Sequence, residues 1–560
     1  MRIRRRLAAP LAVIGVVGLA ACAPALPETV VPGSVVTVGW TGDFTSANAA
    51  AQPTAANLDI AAPTRARFGD LVDGEFVADE AFGTVTILTE DPFTVRYDLA
   101  EPRWSDDIPL DAADLALGWA AASGLLAPSE NARGSEPAVP RIDEFARAIE
   151  VTYPEPIRDW QQRIAVAVPA HVVAGRAFNQ DDPMEAKQAL IAAIEGRDAA
   201  ALAKIAEAWD GAFTIPEGGE VPADALLSSG PFRVDALERG PDGQTITLVP
   251  NAAYRGSVTP RVARIELVPA GEDPIAAIGE RLDAARVAPV AADKEPIEAL
   301  ERRDFTVDTT HDGTVWALRL NPAGVFTGAP ARAAFLRAIP ARALIERGGG
   351  AWASAYTATN ALLAAPGSRA YDVVAEDSGF TAALGGSDDP AIERESAGIA
   401  AGAQVCVLYD RASEFASGAF AAVRDAAIEA GWTAVDCGAD DVQAALAQGG
   451  VDALIDRVPV PQGAAGIAAE WGSAAQTSLP VVADPDRDAL ISRFARTPDV
   501  YAARDVLGQI EATIVRAAVA LPIALNPVTT IIDKDVLGIA PRSGADAPLT
   551  SGAVQWEVAP

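Results

Sequence analysis

Four arginines among the first six residues, followed by an apolar run from Leu7 to Ala21, decide where the rest of this chain has to fold. A basic segment ahead of a short apolar one is the layout of an export signal. The run falls short of the roughly 20 apolar residues that cross a bilayer comfortably. The remainder of the chain is therefore expected to fold outside the cytoplasm, where disulfides form and persist.

The apolar run closes on Leu19-Ala20-Ala21-Cys22, which resembles the bacterial lipobox, where small residues admit the lipoprotein signal peptidase and the cysteine is acylated. Residues 1–21 then read as a lipoprotein signal peptide, with Cys22 as the mature, lipid-bearing N-terminus on the outer face of the cell membrane. One acyl chain binds a bilayer only reversibly, whereas two or three hold it stably. Residues 22–35 carry Pro24, Pro27 and Pro32 and no helical or alternating apolar period, so they read as anchor and tether.

The 560 residues are enough for about three or four structural units. Half are hydrophobic, and 41 prolines and 46 glycines are spread along the chain, a balance that folds. Against 44 Lys and Arg stand 76 Asp and Glu, and a net charge of -32 excludes the basic footprint of nucleic-acid binding. Its field favours cationic or zwitterionic ligands. Only two histidines occur, His171 in an apolar context and His311 in the turn-like His311-Asp312-Gly313, and both read as structural. There is no HExxH, Cys-x-x-Cys, Gly-x-Ser-x-Gly or P-loop pattern. No carboxylate spacing singles out a glycosidase pair. A protein without enzymatic activity, cofactor or metal is expected.

Cys406 lies in the strand-like run Val405 to Tyr409 and Cys437 closes another, Thr433 to Cys437. Between them Ala416, Phe420, Val423 and Ala427 recur at helical spacing, and Gly431 stands where a helix ends. The segment reads as a β-α-β unit whose parallel strands are neighbours. A disulfide between the two cysteines is then geometrically feasible, the alternative being two separate buried thiols.

Several motifs occur in an informative order. Trp104-Ser105-Asp106-Asp107-Ile108-Pro109-Leu110-Asp111-Ala112-Ala113-Asp114 comes first, after a predicted hairpin and before a predicted helix. Then come Val168-Pro169-Ala170-His171-Val172, Ser229-Gly230-Pro231-Phe232, and Pro250-Asn251-Ala252-Ala253-Tyr254. Leu318-Arg319-Leu320-Asn321, Arg332 to Ile339, and Leu521-Pro522-Ile523 complete the series. Together they resemble family 5 of the extracellular solute-binding proteins, which includes oligopeptide, dipeptide and nickel binders of ABC importers. Asp107 replaces the family's turn glycine, Asp111 its capping threonine, and Pro340 a usual aspartate.

The resemblance implies an α/β chain with the two-lobed periplasmic-binding-protein-like fold of the large cluster C type, carrying an extra subdomain in the first lobe. Lobe I is expected over residues 36–262 and again over 523–560, with lobe II over 263–522. It implies a monomer that captures oligopeptides or similar polar solutes and delivers them to ABC permease subunits. The alternative is an envelope lipoprotein that uses the same fold to regulate cell-envelope synthesis through a protein partner. The implied ligand contacts are Trp40, Thr41 and Asp43 after the first strand, and Asp456 in the second lobe, where the family's neighbouring aromatic is missing. Trp40 reads equally as a packing anchor or a stacking surface. Asp456 is a holder for a ligand ammonium unless Arg457 neutralises it. Trp316, Trp352 and Trp471 are placed in lobe II, lining its cleft or its core.

Overall fold

The computed structural model describes residues 27–72, 75–126, 138–545 and 547–559. The export segment and Cys22 lie outside the described residues. One ten-stranded sheet runs through the structure, in the spatial order Trp432–Asp436, Ala403–Tyr409, Ala453–Pro459, Thr306–Leu320, Ala520–Ile532, Ala284–Val287, Val31–Trp40, Val262–Pro269, Gly243–Pro250 and Phe232–Gly240. Parallel pairs surround Val31–Trp40 and Ala403–Tyr409, whereas Thr306–Leu320 and Ala520–Ile532 pair antiparallel in the middle. The chain is therefore mixed α/β.

In the first lobe Val36, Val38 and Trp40 alternate into a core shared with Ile265, Leu267, Trp104, Leu115 and Trp556. A separate four-stranded sheet, ordered Gly83–Glu90, Phe93–Leu99, Ala148–Thr152 and Arg141–Asp143, builds the additional layer. Phe93–Leu99 buries every second residue, as a sheet with one wet face requires. The Trp104–Asp114 stretch is a folding device. Asp111 and Asp114 form a capping box at the helix Ala112–Ala122, satisfying backbone donors that a helix start leaves open. Asp114 also accepts from Trp104 Nε1 at 3.2 Å and from the Ala170 N–H at 2.9 Å. The buried Lys187 ammonium donates to Pro109 O at 2.7 Å, Asp111 Oδ2 at 3.0 Å and Asp114 Oδ2 at 3.1 Å. Asp107 has φ of 67°, left-handed backbone that aspartate tolerates better than most residues. His171 Nε2 lies 3.0 Å from Asp106 Oδ2, within this same element.

Two strands carry the chain from one core to the other. Thr306–Leu320 and Ala520–Ile532 are in register from Thr306 opposite Ile532 to Arg319 opposite Ala520, with irregularities between His311 and Val315 and between Trp316 and Ala317. At one end Ile532 belongs to the first-lobe core, and Ile531 packs with Ile275, Leu282, Phe305 and Trp352. At the other end alternation splits the side chains. Trp316, Leu318 and Leu320 enter one core and Val315 and Ala317 the opposite one, so helices cover both faces of the second-lobe sheet.

The β-α-β unit is present as Ala403–Tyr409, the helix Glu414–Glu429 and Trp432–Asp436, with Ser413 capping the helix through Ala416 N–H. Cys406 and Cys437 are joined by a disulfide, their Cα atoms 5.6 Å apart. The helix Val500–Ala517 buries Ala503, Val506, Leu507, Ile510 and Ile514 along one stripe. Glu511 falls inside that stripe. Its carboxylate accepts from the Leu362 and Leu363 N–H groups at 3.0 and 2.9 Å, and burial pushes its pKa up to about 7.

Candidate functional site

The two crossing strands have a cavity on each face. On the Val315 side lies one of about 540 Å³, within the size range of small-molecule sites. Its walls come from both halves of the molecule: Arg158 and Glu75 from the first lobe, Leu363, Phe494 and Arg504 from the second. Gly313 stands on its wall where the strands cross. With φ of +78°, and with an added Cβ only 2.2 Å from Ala545 N, that position excludes other residues. The lobes touch around the cavity. The Arg158 N–H donates to Ala495 O at 2.9 Å and its guanidinium lies 4.6 Å from the Phe494 ring centroid. Arg496 pairs with Glu155 at 3.1 Å and Arg369 with Glu75 at 2.5 Å. Burial holds Arg158 below the usual arginine range.

On the Trp316 side a cavity of about 350 Å³ has an aromatic wall. Phe415 is stacked between Trp316 and Tyr356, 4.6 Å from each. Trp316 Nε1 donates to Asn526 Oδ1 at 2.8 Å, and Trp352 Nε1 to Val290 O at 2.7 Å. Glu414 accepts from the Ala291 N–H at 2.9 Å. A wider hollow of about 870 Å³, lined by Thr41 and Arg286, shares Ala288 with it.

These walls receive the sequence-derived candidates unevenly. Trp40 is buried in the first-lobe core, its Nε1 donating to Gln244 O at 3.2 Å. Thr41 lines the wide hollow and Asp43 is exposed. Trp316 forms part of the aromatic wall, whereas Trp471 is buried among the helices on the opposite face. Asp456 lies opposite Ala317 across the ladder, so its side chain shares the Val315 face and points away from Trp316. There its Oδ2 pairs with Arg319 at 3.4 Å, and Arg319 also reaches Glu470 at 3.1 Å. Burial, partly offset by Arg319 and reinforced by Glu470, pushes Asp456 up to about 7. Arg457 turns the other way, to Asp312 at 3.0 Å and over the Trp316 ring at 5.9 Å. Trp40 and Asp456 are therefore not brought together, and the partner of Asp456 is Arg319. Sequence reasoning missed Arg158, Arg369 and Arg504, for which no local signal exists. Among the described residues no helix is long and apolar enough to cross a membrane.

No protein-family model matches the chain. An uncharacterized lipoprotein of Mycobacterium tuberculosis (strain ATCC 25618 / H37Rv) is 26% identical over 269 residues, which are 46% of this chain and 45% of that protein. One from Mycobacterium bovis matches to the same extent. The chain spans less than half the length of these relatives. Solved structures match over nearly the whole chain. The periplasmic EDTA-binding protein EppA superposes with a TM-score of 0.73 at 18% identity, covering 94% of this chain and 97% of that one. The ABC transporter substrate-binding protein CtaP of Listeria monocytogenes gives 0.71 at 14%, covering 94% and 100%. The oligopeptide-binding protein AppA of Bacillus subtilis, solved with a nonapeptide, gives 0.60 at 12%, covering 94% and 99%. The chain has the two-lobed α/β fold of these substrate-binding proteins, the fold that the family 5 resemblance implies.

Proposed function

We propose that this chain is an extracytoplasmic solute-binding lipoprotein that takes an oligopeptide or similar polar solute between its lobes and presents it to an ABC permease. The observation that carries this reading is the cavity of about 540 Å³ whose walls are shared by both lobes beside the crossing strands. A solute touching both walls binds the closed arrangement better than an open one and shifts the population towards it by that difference. The hinge in this reading is the irregular stretch from His311 to Val315 together with Leu525 to Pro527 opposite it. Cys22 supplies the anchor, supported by the lipobox-like residues and by relatives named as lipoproteins. The test is a thermal-shift screen of peptides, amino acids, sugars and metal chelates against the detergent-solubilised protein. A true ligand at a hundred times its Kd adds about 2.7 kcal/mol of stability. Silence across all four classes sinks the proposal.

A further inference from the structure

The wall of the interlobe cavity has the opposite charge to the protein. In a chain of net charge -32, the charged side chains lining this cavity, among the described residues, are three arginines and a single acid, Glu75, which is already paired with Arg369. Arg158 has the Phe494 ring beside it and no carboxylate within ion-pair distance among the described residues. Arg504 lies over the Tyr501 ring at 4.6 Å and donates to Arg369 O at 3.1 Å, while its buried Nε has no acceptor. These two guanidinium groups come from different lobes. Leu363, Val460 and Leu507 make much of the remaining wall apolar.

Resting on the solute-binding reading above, we infer that the ligand is an anion, a carboxylate on an apolar body, held between Arg158 of the first lobe and Arg504 of the second. Two cations that form no ion pair, one from each lobe on the wall of a single cavity, repel each other as the lobes approach, and more strongly as water leaves. A carboxylate between them reverses the sign, because each guanidinium gains a charge-assisted hydrogen bond that closes only when the lobes do. The same arrangement discriminates against cations. A peptide C-terminus and a medium-chain fatty acid both present this chemistry on an apolar body.

Calorimetric titration of the full chain in detergent micelles tests this with N-acetyl-leucyl-phenylalanine and octanoate as the carboxylates. N-acetyl-leucyl-phenylalaninamide and octanamide serve as the neutral controls and octylamine as the cationic one. At least one carboxylate binds, its neutral counterpart binds at least about tenfold more weakly, and octylamine does not bind. Arg158→Gln and Arg504→Gln each weaken carboxylate binding by about tenfold to a hundredfold. Arg504→Lys recovers part of it, with unliganded melts like the wild type. Should a variant fail to fold, salt gives the same information on the native protein, since raising it from about 0.1 M to about 1 M shortens the screening length to about 3 Å and weakens the complex. Equal binding of the amide, tighter binding of octylamine, or no salt effect overturns the anion assignment and leaves solute binding standing. So does silence of these probes while another solute from the screen binds. Silence of these probes and of the whole screen overturns both.

Discussion

Arg319→Met removes the buried cation shared by two part-buried carboxylates. Arg319 lies 3.4 Å from Asp456 and 3.1 Å from Glu470, and among the described residues neither carboxylate has another ion-pair partner. Stripping one partner from such a buried group costs about 3–5 kcal/mol, because the remaining charges stay desolvated. The loss should depend on pH in a definite direction. Burial already raises Asp456 from 3.8 to about 7 and raises Glu470 as well. A carboxylate whose folded pKa exceeds its unfolded value stabilises the fold below the unfolded pKa, and that contribution is lost as pH rises through the folded one. Without Arg319 both folded values move higher still. The variant then suffers a larger deficit near pH 8, while near pH 5 Asp456 takes up its proton and the deficit shrinks to about 1–2 kcal/mol. For a unit the size of the second lobe, 3–5 kcal/mol corresponds to a melting shift of about 6–20 °C. Calorimetric scans and urea midpoints at both pH values are the assay. Equal losses at the two pH values, or a loss under about 1 kcal/mol near pH 8, would refute the network as the source of the cost.

Glu511→Ala leaves the buried Leu362 and Leu363 N–H groups without their acceptor and should cost about 2–4 kcal/mol by urea midpoint. Glu511→Gln should flatten the fall in stability between about pH 4.5 and pH 7 that a folded pKa near 7 imposes. In the first lobe, Lys187→Met strands Asp111 and Asp114 and should lower that lobe's stability by about 3–5 kcal/mol, read by calorimetry. Reducing the Cys406–Cys437 bridge, which spans 31 residues, should cost about 3–4 kcal/mol in the chain-entropy model. Melts with and without reductant check this, and the Cys406→Ser/Cys437→Ser double variant should match the reduced protein.

Elements whose chemistry is local were legible in the sequence. The helix after Leu110 announces itself through Asp111 and Asp114, because capping is settled within one turn. The β-α-β unit around the cysteines is legible for the same reason: period, cap and terminating glycine lie within a few residues of one another. The long crossing strand was not. His311-Asp312-Gly313 carries a turn signature, yet Thr306–Leu320 continues through it as one strand. The partner strand overrides the local signal. Asp312 accepts from Asn526 Nδ2 at 2.7 Å and from Arg457 at 3.0 Å across the ladder, and from Thr314 N–H at 3.0 Å, so the turn-like residues satisfy their polar groups inside a bulge.

The same distinction governs the site. Arg457 comes directly after Asp456 in sequence and invites the inference that one neutralises the other, but adjacent residues of a strand face opposite sides. The ladder places Asp456 opposite Ala317, and Arg319, two residues along from Ala317, therefore shares its face and becomes its partner. A period of two could have excluded Arg457 from sequence alone. It could not have supplied Arg319, because strand register is a property of the whole sheet. Net charge is likewise a whole-chain quantity and does not fix the charge of one cavity wall. An acidic chain points to cationic ligands only if its carboxylates reach the site, and here the acid on the cavity wall is consumed by Arg369. In the anion proposal the site rests on a pair of guanidinium groups, Arg158 and Arg504, that form no ion pair among the described residues in a chain where acids outnumber bases. In such a chain an arginine that stays unpaired at a lobe interface is the more informative charge, and only the fold reveals which arginines those are.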